Sequence, residues 1–92
     1  ILQAEAQHEA AWEFLFDRYG LTLPEAPEFD IPAFASLQDA CAAAAAAEIA
    51  NFDLYDQQLE AFADYPDIYQ IVLALRNASE FNHLPAFENC AG

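Results

Sequence analysis

The sequence predicts an all-α fold, and three observations carry that expectation. Glycine occurs only twice, at Gly20 and Gly92, so the tight turns of a β fold have little to be built from. Alanine, the best helix former, runs unbroken from Ala42 to Ala47. Apolar residues recur at steps of three and four along three separate segments, which is the period of a helix face.

The first helix is expected over about residues 1–19. Ile1, Glu5, His8, Trp12, Leu15 and Tyr19 form its stripe, and Gly20 supplies the stop. Residues 21–35 contain Pro24, Pro27 and Pro32 and read as an extended crossover. Ser36, with Asp39 in the turn after it, looks like a helix N-cap. The second helix then runs over about 37–62 with Cys41, Ala45, Glu48, Phe52, Tyr55, Leu59 and Phe62 facing inward. Pro66 is placed to open a third helix, about 66–84, which is expected to end by Pro85. Its stripe is Tyr69, Val72, Leu73, Arg76, Glu80 and His83, with Phe87 beyond.

The join between the second and third helices is short, so these two are expected to be antiparallel neighbours. The crossover, at ~3.3 Å per residue, reaches roughly 50 Å, enough to span a bundle and leave the first two helices parallel. Ninety-two residues make one domain with one modest core, and a hydrophobic fraction of 57% excludes a disordered chain. The chain begins at Ile1, inside a helix and without a signal peptide. It therefore reads as a processed product or a piece of something longer.

Sixteen acidic residues face two basic ones, Arg18 and Arg76, for a net charge of −14. Nucleic acid and anionic membranes are poor partners for such a chain, and cations are good ones. No apolar run is long enough to span a bilayer.

Both histidines follow a glutamate at the same spacing: Glu5-Ala6-Gln7-His8 and Glu80-Phe81-Asn82-His83. On an α-helix residues i and i+3 share a face, so each motif aims one carboxylate and one imidazole the same way. Two such motifs, with lone glutamates from neighbouring helices, hold paired iron or manganese ions in four-helix bundles. Glu48, in an otherwise apolar stripe, is the lone glutamate here, because a carboxylate there is costly to bury without a partner. A single motif of this kind reads equally as a core histidine hydrogen-bonded to a glutamate. Trp12, Tyr55 and Tyr69 lie near the same level and read as core packing.

The chain resembles the ferritin-like di-iron carboxylate superfamily, and is similar to its small prokaryotic domains of unknown function. The resemblance covers nearly the whole chain. It is carried by Ala4-Glu5-Ala6-Gln7-His8, Asp17-Arg18-Tyr19-Gly20-Leu21, Glu48-Ile49-Ala50-Asn51-Phe52-Asp53-Leu54, Asp67-Ile68-Tyr69 and Ala78-Ser79-Glu80-Phe81-Asn82-His83-Leu84. It implies an up-down helical bundle with a long crossover, three of whose four helices are in this chain. It implies that Glu5, His8, Glu48, Glu80 and His83 ligate two divalent metal ions, iron first and manganese or zinc as substitutes. The implied chemistry is oxidation of Fe(II) or activation of O₂ or peroxide. The superfamily's first helix is absent, and with it a sixth ligand.

Cys41 precedes Glu48 by as many residues as Cys90 follows His83, so an antiparallel pair brings both cysteines to one end. A disulfide there implies an oxidising, extracellular location, and the alternative is two free thiols. Asn77-Ala78-Ser79 matches a glycosylation sequon but falls within a helix and reads as a chance match. Three inward-striped helices also leave an apolar groove. That groove suggests self-association, or a helix supplied by another chain. Repeated head-to-tail, such donation would build a filament, so a structural subunit is the competing expectation to a metal-dependent oxidoreductase.

Overall fold

A computed structural model describes every residue except Phe29 and Ile31. Among the described residues all regular structure is helical, and no strand occurs. The chain forms two compact units, Ile1–Pro32 and Ala33–Gly92.

In the first unit α1 spans Leu2–Arg18. It stops where the glycine demands. Gly20 adopts φ +66°, a left-handed conformation that costs other residues a Cβ clash. The Leu21 N–H then reaches the Phe16 carbonyl at 2.8 Å and the Gly20 N–H reaches that of Asp17 at 3.1 Å. These two bonds make a Schellman motif, which satisfies the last carbonyls of the helix. Leu15 is the buried residue of α1, with His8 and Trp12 half-buried on its predicted stripe. Beyond Gly20 the described residues up to Pro32 have no regular structure, as the prolines dictate.

In the second unit α2 spans Leu37–Ala61. The Ser36 hydroxyl accepts a hydrogen bond from the Asp39 N–H at 3.0 Å and so caps the helix. The stripe expected to face inward does so, since none of Cys41, Ala45, Glu48, Phe52, Tyr55, Leu59 and Phe62 is exposed. After a tight turn closed by the Tyr65 N–H on the Phe62 carbonyl, α3 spans Pro66–Ala78 with Pro66 in its first turn. Val72 and Leu75 are its buried residues.

The helix does not end at Pro85 as expected. It continues as a π-helical turn, Ser79–His83, closed by the Leu84 N–H on the Ser79 carbonyl, and then as α4, Leu84–Ala91. Proline lacks the N–H that an α-helix would give to the carbonyl of Phe81, and its ring crowds that carbonyl. The wider π winding just before the ring relieves the crowding, so the rod carries on through the proline.

Four cross-ties give the register of α2 against the rod from α3 to α4. The Gln38 side chain donates to the Ala91 carbonyl at 2.8 Å, and Cys41 is bonded to Cys90. Glu48 faces His83 at 3.3 Å, and Arg76 donates to Asp56 at 2.8 Å. As one partner advances along the sequence the other retreats, so the two rods are antiparallel. Val72, with no exposed surface, and Leu75, 2% exposed, anchor the apolar seam with Cys41. Each fully buried side chain of this size contributes roughly 1.5–3 kcal/mol.

Candidate metal centre

The inward stripe of α2 sets Glu48 two turns beyond Cys41, and the π-helical turn sets His83 opposite it. Glu48 Oε1 lies 3.3 Å from His83 Nδ1. The two residues are 7% and 2% exposed, which makes them the most deeply placed carboxylate and imidazole among the described residues. The second carboxylate oxygen, Glu48 Oε2, is buried and receives no hydrogen bond from the described residues. A buried carboxylate oxygen without a donor costs several times what an ordinary hydrogen bond returns, and native interiors rarely leave one. A bound cation removes that cost. Carboxylate oxygen beside imidazole nitrogen suits a borderline divalent ion such as iron, manganese or zinc, so the residues fit the metal that the sequence predicts.

Glu5 and His8 form a second pair of the same donor types within the first unit. On α1 the i, i+3 spacing brings Glu5 Oε2 within 3.6 Å of His8 Nδ1, with the imidazole side chain 22% and the carboxylate 54% exposed. The shared-face geometry expected of this motif is therefore present.

Glu80 behaves differently. Its carboxylate is ion-paired with Arg76, one α-helical turn before it, and the same guanidinium bonds Asp56 on α2. Arg76 also lies over two aromatic rings, 5.4 Å from the centre of Phe52 and 5.7 Å from that of Phe81. The hydrogen bond to Asp56, and then that to Glu80, raise the already high pKa of Arg76. A base with a raised pKa keeps its contribution at every pH below its unfolded value, so Arg76 remains a cation throughout the working range. Glu80 and His83 both lie in the π turn, which is wound more widely than α1. Sequence reasoning placed Arg76 on the inward stripe without its acidic partners. The i, i+4 step from Arg76 to Glu80 was the signal that could have found one of them.

The cysteines are joined, with Cα atoms 5.8 Å apart, Cys41 buried and Cys90 exposed. The reading as two free thiols is set aside. The bond lies beside the Gln38–Ala91 tie and clamps the end of the α2–α4 pair. Tyr55 and Tyr69 are half-buried, in keeping with packing roles. Ser79 of the sequon is 5% exposed and lies in the π turn.

Compared with known families, curated proteins and solved structures, the chain finds no match. No helix among the described residues is long and apolar enough to cross a membrane.

Proposed function

We propose that this chain is a ferritin-like, divalent-metal-binding helical protein. Its metal centre is built around Glu48 and His83. The observation that carries the reading is the buried Glu48 carboxylate, one oxygen facing the His83 imidazole and the other without a donor among the described residues. Glu80 extends the donor set of the second unit, and the Glu5 and His8 pair of α1 offers the same donor types within the first unit. Carboxylate and imidazole donors of this kind would hold divalent ions, with iron as the first choice and manganese or zinc as substitutes. Bound iron would supply redox chemistry toward Fe(II), O₂ or peroxide. The chain's own part is to bind and neutralise the ions and to limit water's access to Glu48 and His83. The disulfide supports an oxidising, extracellular setting.

Metal titration of the purified chain with the disulfide intact tests this reading. Binding of Fe(II), Mn(II) or Zn(II) that Glu48→Gln and His83→Ala both abolish or weaken supports it. O₂ consumption with Fe(II) then separates an oxidoreductase from a metal-stapled scaffold. No binding of any of the three ions would refute it.

A second reading rests on a separate observation. Large apolar side chains stand in water in both units, among them Leu2, Leu21, Leu37 and Phe81, each more than 60% exposed. Such surface favours a structural subunit that completes its bundle with another copy or a helix from another chain, as a filament would. Sizing of the purified chain across concentration decides it, and a concentration-independent monomer would sink this second reading.

A further inference from the structure

The group around Arg76 holds one carboxylate more than its charge requires. One guanidinium faces both Asp56 and Glu80, and it lies over the rings of Phe52 and Phe81. Glu80 shares its π turn with His83, while Asp56 belongs to α2. We infer that Arg76 is a positioning residue that stores the Glu80 carboxylate and releases it to the metal centre, with Asp56 keeping the guanidinium paired after release. The inference rests on the metal reading above.

The physical case is one of competition. A divalent ion and a guanidinium are rivals for the same carboxylate oxygens. Were Glu80 the sole partner of Arg76, its transfer would leave a guanidinium side chain only 18% exposed without a carboxylate. Asp56 removes that penalty, because one full ion pair survives the exchange. The exposure of the Asp56 side chain, 47% against 32% for Glu80, means that its pairing makes small demands on desolvation in either state. The rings hold the guanidinium while Glu80 leaves, so the exchange moves one side chain instead of two.

Opposite signs test the inference. Mn(II) and Zn(II) are titrated separately into the full chain at 0.15 M salt, where long-range charge effects are screened. Arg76→Lys keeps the charge but loses the planar fork, so it holds Glu80 less well and binds metal about 2- to 5-fold more tightly than wild type. Arg76→Gln goes at least as far. Asp56→Asn leaves Arg76 with Glu80 alone and weakens binding by a similar factor. Asp53→Asn, an equal charge change on an exposed site of α2, leaves affinity within twofold. The double variant Asp56→Asn with Arg76→Gln matches Arg76→Gln alone, since Asp56 acts only through Arg76. Helical circular dichroism and a thermal melt establish that each variant folds, and Arg76→Lys serves where Arg76→Gln does not. Weaker binding in both the Arg76 and Asp56 variants, or no change in either, overturns the inference while leaving the metal centre standing. Wild type that binds neither ion overturns both.

Discussion

Glu48 and His83 lie 3.3 Å apart on two antiparallel rods, and both are buried. One comes from a regular α-helix and the other from a π-helical turn. π turns recur at functional sites because the extra residue re-aims side chains without breaking the helix. Here the imidazole meets a carboxylate whose other oxygen has no donor among the described residues.

Replacing either partner should reach metal binding first. His83→Ala and Glu48→Gln are each expected to weaken binding by roughly 10-fold or more, judged against the smaller effects of outer partners. Calorimetry with Zn(II) measures this. Affinity within twofold of wild type in both variants contradicts the assignment.

Metal should also stabilise the fold. At a free concentration 100 times Kd, an ion that binds only the folded chain adds about 2.7 kcal/mol. For a domain of this size that corresponds to a rise in Tm of roughly 10–20 °C. Thermal melts with Zn(II) and with a chelator give the difference, and coincident melts would contradict the prediction.

The disulfide closes a long loop, with 49 residues of sequence separation between its cysteines. Its loss, through Cys41→Ala with Cys90→Ala, should cost about 2–4 kcal/mol, mainly by freeing the unfolded chain. Denaturant unfolding measures the cost. Alkylation of the unreduced native protein should label no thiol, and two labelled cysteines would refute the pairing.

The helix ends make smaller, separable contributions. Ser36→Ala removes the acceptor for the Asp39 N–H and should destabilise the second unit by about 1 kcal/mol. Gly20→Ala forces a Cβ into the left-handed region and should cost about 1–2 kcal/mol in the first unit. Hydrogen exchange resolves the two, because protection should fall at the start of α2 in one variant and at the end of α1 in the other.

Packing should follow burial. Val72, with no exposed surface, is expected to cost about 1.5–3 kcal/mol as Val72→Ala. Leu54, 50% exposed, should cost under about 0.5 kcal/mol as Leu54→Ala. Equal effects in denaturant melts would show that the seam lies elsewhere.

Much of this was legible in the sequence because the deciding interactions are local or follow from register. Ser36 and Gly20 act within one turn of their own position. The stripe of α2 is a matter of period, and once α2 and the next rod are antiparallel, equal offsets from Glu48 and His83 place Cys41 against Cys90. The rest was hidden for a physical reason. Pro85 is a stop signal under α-helical winding, and a change of winding that spares it leaves the apolar pattern nearly untouched. Glu80 had two partners in reach by local rules, His83 at i+3 and Arg76 at i−4. Glu80 pairs with Arg76, and Asp56 joins from across the two rods.

The bond between Cys41 and Cys90 turns the second unit into a covalent ring, closed at one end by sulfur and at the other by the turn from Phe62 to Tyr65. A protease that cuts once at that exposed turn opens the ring without releasing a fragment. The nicked chain keeps its full mass until a reductant is added, and the α2 and α3–α4 strands of the ring then part as two peptides. Survival of a first cut therefore depends on staying oxidised after it.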